Sequence, residues 1–280
     1  MTSRILRTLL LATSIFAAAP ALAQDDEPLP NDPNSLTIAA GGAYVPSYEG
    51  SDDYDFTPIG IVIGKVSGFG FGTRGTGVYF DLIRSDPNDA FSFDLGPVAH
   101  LRLDRTGGIK DAQVRALGEV DRAIELGGYA GITKNGVLHR YDTLGARVTV
   151  QRDVSDTHDS TIVTPAVEYM TPLSERALVQ LGLQAERVGD GYGATYFGVT
   201  PAGSAASGLP VYAADGGWKN WRVNLLAAHM LSGMLRDPGV AIFAGVAYSR
   251  LLGGFARSPI VAVAGDRDQY FATAGLSYTF

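Results

Sequence analysis

The sequence has no cysteine, which excludes a disulfide framework, thiol catalysis and thiolate metal sites. Beyond residue 23 it lacks any apolar run near the ~20 residues that a membrane-spanning helix requires. Basic residues are scarce: 22 Lys and Arg stand against 29 Asp and Glu, a formal charge of −7. No polybasic cluster offers a footprint for nucleic acid, so nucleic acid is excluded as a partner. The four histidines, at positions 100, 139, 158 and 229, show no metal-ligand spacing, and no metal or cofactor is expected.

What is present begins with an export signal. Arg4 and Arg7 precede an interrupted apolar stretch from Ile5 to Ala19, and Ala21-Leu22-Ala23 supplies a small-x-small cleavage pattern. The expected division is a signal peptide over 1–23 and a single domain over 24–280. Cleavage removes two arginines and no acid, taking the net charge from −7 to −9. Hydrophobic residues make up 46% of the chain, yet the mean hydropathy is only +0.08. The apolar residues are therefore interleaved with polar ones.

The interleaving has a period of two. Phe91, Phe93, Leu95, Pro97, Ala99, Leu101 and Leu103 share one face of an extended segment, while Ser92, Asp94, Gly96, Val98, His100 and Arg102 share the other. The same division recurs at Ile124–Thr133, Thr143–Gln151, Ala177–Glu186, Trp221–Ala227 and Val240–Ser249. An apolar face on nearly every segment, with helical period almost nowhere to supply a cover, implies lipid as the covering medium. Closure into a barrel then satisfies the backbone. The last such face, Tyr270, Ala272, Ala274, Leu276, Tyr278 and Phe280, ends in an aromatic pair.

The expected fold is thus all-β, an antiparallel transmembrane barrel in the outer membrane of a Gram-negative cell, reached through the periplasm. Strands are read near 35–45, 56–66, 69–83, 90–103, 123–134, 137–151, 160–172, 176–188, 218–231, 240–251 and 269–280. An even count requires one more, placed at Tyr192–Thr200, giving about 12 strands with 10 the alternative. Val66-Ser67-Gly68 and Arg236-Asp237-Pro238-Gly239 read as tight periplasmic turns, and 46–55, 201–217 and 252–268 as outer loops. On this count 104–122 falls on the periplasmic side. It carries a short helix near 112–122, with Val114, Leu117 and Val120 at helical spacing. That stripe is either a self-packed lid or a candidate partner-binding surface.

Three stretches resemble the MltA-interacting protein family (MipA/OmpV) of outer-membrane barrels. The first is Gly42–Asp52, with Pro46, Tyr48 and Gly50. The second is Tyr196–Thr200 followed by Ser207, Gly208, Leu209, Pro210, Val211 and Tyr212. The third is Ser258-Pro259-Ile260-Val261 with the final strand to Phe280. The resemblance spans the mature chain. It implies a scaffold that brings a lytic transglycosylase together with a murein synthase, in contact with outer-membrane lipid. A small-solute pore and an adhesin are the alternatives.

Candidate chemistry is thin, and no catalytic residue is assigned. Thr157-His158-Asp159-Ser160 joins a base, an acid and a hydroxyl, but sequence neighbours in one turn do not converge as a nucleophile–base line must. Asp94, Arg102, Glu125, Arg147, Glu168 and Arg222 are expected to face the lumen, as a satisfied network or a polar channel lining. Glu49, Asp52, Asp53 and Asp55 read as a solvated acidic loop rather than a calcium site. Gly68–Gly72 lacks the following helix that a phosphate loop needs.

Overall fold

Alternating sequence produces strands that hydrogen-bond in chain order and close on themselves. The structure, a computed structural model, describes residues 33–86 and 88–280; the expected signal peptide lies outside the described residues. Twelve antiparallel strands form one closed barrel: β1 (Ser35–Pro46), β2 (Tyr54–Val66), β3 (Phe69–Arg74), β4 (Gly77–Phe80), β5 (Phe91–Arg102), β6 (Ala123–Asn135), β7 (Thr143–Asp153), β8 (Thr161–Ser174), β9 (Ala177–Val188), β10 (Gly217–Met230), β11 (Gly239–Leu251) and β12 (Asp268–Thr279). The seam pairs β1 with β12, from Thr37 opposite Thr279 to Tyr44 opposite Ala272.

The count of twelve holds, but the twelfth strand is not where the pattern suggests. Residues 69–83 do not form one strand. They fold as β3 and β4 about Gly75-Thr76, with Gly75 at φ +59, a conformation that glycine adopts without steric cost. Tyr192–Thr200 is not a strand either: Asp190–Phe197 forms helix α2. Tyr192 and Tyr196 satisfy both a period of two and an i, i+4 spacing, so the segment is ambiguous by pattern alone.

The extra reversal inverts the topology from there to α2, where the absence of the expected strand restores it. Residues 103–122 emerge at the same end as 47–53, 154–160, 189–216 and 252–267, not at the end expected from the sequence. The opposite end holds both ends of the strand order and the shorter connections 67–68, 81–90, 136–142, 175–176 and 231–238. Short turns mark the periplasmic side of such barrels and long loops the outer side.

The wall shows the expected inside–outside division. Leu181 and Val246 expose 50% and 58% of their surface outward, whereas the intervening Gly182 is buried. A continuous belt of such residues cannot face water, and the barrel sits in the outer membrane with lipid against this belt. The largest fully buried side chains lie elsewhere, among them Tyr48, Tyr192, Tyr196, Phe197, Leu209, Phe255 and Ile260. The packed core of this protein is therefore in its long outer loops.

Candidate functional site

Four of those loops fold into one lid over the barrel mouth. Helix α1 (Ala112–Ala116) packs on α3 (Pro201–Ser207), and α4 (Gly253–Arg257) and α5 (Pro259–Ala262) complete the cover with α2. The starts of α1, α3 and α5 are capped by side chains. The Asp111 carboxylate accepts from the Val114 amide, Thr200 accepts from Gly203, and Ser258 accepts from Ile260. One apolar cluster joins Tyr48, Ile109, Val114, Val199, Leu209, Ile260 and Ala264. A second joins Ile162, Val188, Tyr192, Tyr196, Phe197, Leu251 and Phe255.

The residues that carried the family resemblance converge here. The Tyr48 hydroxyl donates to the Ala264 carbonyl, and Gly50, at φ +98, donates its amide to Gln269 and accepts from Asp266. A Cβ on Gly265 would meet the Gly50 carbonyl oxygen at 1.9 Å, so the two loops approach as only glycine permits. Ser207 accepts a bond from Gln113 through its carbonyl, Gly208 takes the left-handed cap of α3 at φ +74, and Leu209 is fully buried. Tyr212 bonds Gly254, and the Ser258 hydroxyl donates to the Phe197 carbonyl. Pro46 closes β1, Pro259 opens α5, and Pro210 is exposed on the surface.

The stripe Val114, Leu117 and Val120 is part of this packing. Val114 is fully buried, and Leu117 and Val120 pack against the two clusters. The structure corrects the expectation of a periplasmic partner surface there: the stripe lies at the outer end and covers the protein's own loops.

Beneath the lid lies a buried ionic network. Glu125 accepts from Arg102 Nε at 2.6 Å, from His100 Nδ1 at 2.9 Å and faces His158 Nε2 at 3.1 Å. Arg102 reaches on to Glu186 at 3.6 Å and to the Tyr192 hydroxyl at 3.0 Å. Lys219, only 1% exposed in its side chain, bridges Glu49 at 2.7 Å and Glu186 at 3.0 Å and donates to the Tyr192 hydroxyl. That hydroxyl in turn donates to Glu49 at 2.8 Å. Glu49 is thus the lid's anchor to the wall, whereas Asp55 pairs at the surface with Lys110. Glu49 departs from the solvated acidic loop that the sequence predicts, because Lys219 supplies its countercharge.

A β-bulge places Lys219. The register of β10 against β9 shifts between Trp218 and Asn220. By strict alternation with Trp221 and Val223, Lys219 belongs on the lipid face. The inserted residue turns it inward and sends Trp218 outward, where it is 50% exposed.

Asp104, just beyond β5, sits at the junction of lid and network. Its Oδ1 accepts the Glu49 amide at 2.7 Å, and its Oδ2 is buried without a partner. Burial first, and repulsion from Glu49 second, push its carboxyl up to about 6. Burial also pushes the Tyr192 hydroxyl far above its ordinary value, keeping it a neutral donor to Glu49.

His158 and Ser160 of the 157–160 turn are absorbed into this structure. Ser160 Oγ donates to the His158 carbonyl and accepts from the Tyr192 amide, while the His158 ring faces Glu125. Of the other lumen charges, Arg147 pairs with Glu168 at 3.1 Å. Both line, with Asp94, a cavity of about 50 Å³. Arg222 stacks on Phe271, its Cζ 4.3 Å from the ring centroid. Among the described residues no group of three or more potential ligands could hold a metal ion.

The family described as MltA-interacting protein MipA matches residues 38–280. No curated protein matches the chain. Solved structures that resemble it include OprD from Pseudomonas aeruginosa, 11% identical over 89% of this chain and 94% of that one, with a TM-score of 0.34. An outer membrane channel from Pseudomonas putida F1 is 10% identical over 91% and 98%, at 0.42. A Pseudomonas aeruginosa FadL homologue is 11% identical over 88% and 89%, at 0.37.

Proposed function

The chain belongs to the MltA-interacting protein family, and on that premise we propose that it is a non-catalytic scaffold of the outer membrane. Its partners in this reading are murein-processing enzymes, a lytic transglycosylase and a murein synthase. The observation that carries the reading is the closed mouth. A lid with two apolar clusters and a salt-bridged anchor favours a binding role over an open solute channel.

Murein lies on the periplasmic side, so the docking surface is assigned to the periplasmic turns. The turn 136–142 is preorganised by Asp142, whose carboxylate accepts the amides of Val137, Leu138 and the Tyr169 hydroxyl. It presents Leu138 at 80% exposure, a rigid apolar anchor of the kind that interfaces use. Leu231, in the turn 231–238, is also exposed at this end.

Capture of crosslinked partners from intact envelopes tests the assignment. Leu138→Glu with Leu231→Glu should abolish recovery of murein enzymes while the barrel still migrates as a folded species. Leu117→Ser with Val120→Ser, in the lid, should leave recovery unchanged. The opposite outcome, or steady conductance of the wild-type chain in planar bilayers, would overturn the scaffold reading.

A further inference from the structure

The lumen below the lid has two unlike halves. On the side of β3 to β8 the charges are mixed, with Arg74 over Tyr79 and Arg147 paired to Glu168. From β9 round to β1, the inward positions below Glu186 carry no carboxylate among the described residues. Arg222 is the one charge there. A cavity of about 260 Å³ opens in this half, lined by Val45, Leu226 and Phe271 with the amides of Asn224 and Gln180.

Arg222 lies one residue pair above Asn224 on β10, stacked on Phe271, which lines the cavity. Its Nε is buried without a hydrogen-bond partner. No carboxylate among the described residues comes within ion-pair distance of it, Glu186 and Glu49 acting through space only. Its Phe271 contact is a cation–π stack, and those two carboxylates are themselves paired with Arg102 and Lys219. A guanidinium held this way favours an anion that brings its own hydrogen-bond acceptors, because a forked donor matches a carboxylate. The volume is below that of ordinary drug-sized pockets, so the ligand is compact.

We propose that this half of the lumen binds a small organic monocarboxylate, its carboxylate on Arg222 and its apolar body against Leu226, Phe271 and Val45. Entry is from the periplasmic end, since the lid covers the other. The site is independent of the scaffolding surface.

The test uses the full mature chain in lipid nanodiscs with 4-(trifluoromethyl)benzoate as probe, followed by fluorine NMR, and its neutral amide as control. Wild type should bind the acid at least tenfold more tightly than the amide. Arg222→Gln should remove that preference, and Arg222→Lys should keep most of it. Leu226→Trp, which fills the cavity and leaves the cation in place, should eliminate both ligands. Absence of binding to wild type, equal affinity for acid and amide, or acid binding that survives Arg222→Gln or Leu226→Trp would overturn the proposal. Should Arg222→Gln fail to fold, Leu226→Trp alone decides.

Discussion

Replacing Lys219 with methionine keeps the unbranched stem to within one atom and removes its charge. Three contacts disappear: Glu49 at 2.7 Å, Glu186 at 3.0 Å and the Tyr192 hydroxyl at 3.0 Å. Two carboxylates that shared one ammonium are left facing each other, and breaking a buried pair from one side costs about 3–5 kcal/mol. Part of the network remains, because Arg102 still reaches Glu186 at 3.6 Å and Tyr192 still donates to Glu49 at 2.8 Å. The expected loss is therefore near the lower end, about 3 kcal/mol, felt at the lid anchor rather than in the wall. Hydrogen exchange in lipid vesicles reads this directly. Lid amides such as those of Gly50 and Tyr192 should exchange roughly 100-fold faster, since 1.4 kcal/mol is a factor of ten, while β6 and β7 stay protected. Adding Glu49→Gln should restore part of the protection by removing one stranded charge. Unchanged lid exchange in the single variant would refute the view that Lys219 fastens lid to barrel.

Other consequences are open to measurement. Leu181→Arg or Val246→Arg should destabilise the barrel by about 2–4 kcal/mol in urea titrations from vesicles, as expected near the midplane; Gln180→Arg, on the lumen side, should cost much less. The raised Asp104 carboxyl, at about 6, stabilises the folded lid fully below the ordinary aspartate range, and that contribution is lost as pH rises through about 6. Asp104→Asn should flatten lid protection between pH 4 and 6 and raise it at neutral pH by up to about 3 kcal/mol, whereas an unchanged pH profile would discard this account. Removing Phe280, or making both Tyr278 and Phe280 polar, should deplete the protein from outer-membrane fractions, which quantitative blotting of fractionated envelopes would show.

The wall was legible in the sequence because its chemistry is local. Each lipid-facing residue is two positions from the next, so Leu181, Leu183 and Val246 declare their side without knowledge of any partner. The short pair β3 and β4 was not legible, because four to six residues give too few alternations to separate one strand from a hairpin. Arg74-Gly75-Thr76-Gly77 was the one turn signal available. Of the network, Arg102 and Glu125 follow from alternation. Lys219 does not, since the bulge beside it reverses the parity on which the reading depends. Glu49 and Tyr192 were hidden for a different reason. Their partners lie 170 and 90 residues away along the chain, and nothing local marks a loop residue as an anchor. Parity puts Arg222 in the lumen, but its lack of an ion pair depends on five strands at once, its own among them.

The lid also bears on how the chain is built. Two of its joints tie the first loop to the last loop and to β12: the Tyr48 hydroxyl to Ala264, 216 residues away, and the Gly50 amide to Gln269, 219 residues away. Such joints form only after β12 has met β1, because until then the two loops sit at opposite edges of an open sheet. Lid packing is thus a late event that reports completed assembly. A barrel stalled before its last strand leaves Tyr48, Leu209 and Ile260 uncovered and the segments 189–216 and 252–267 open to proteolysis. Resistance of those segments would tell the cell, or an experimenter, that the ring is whole.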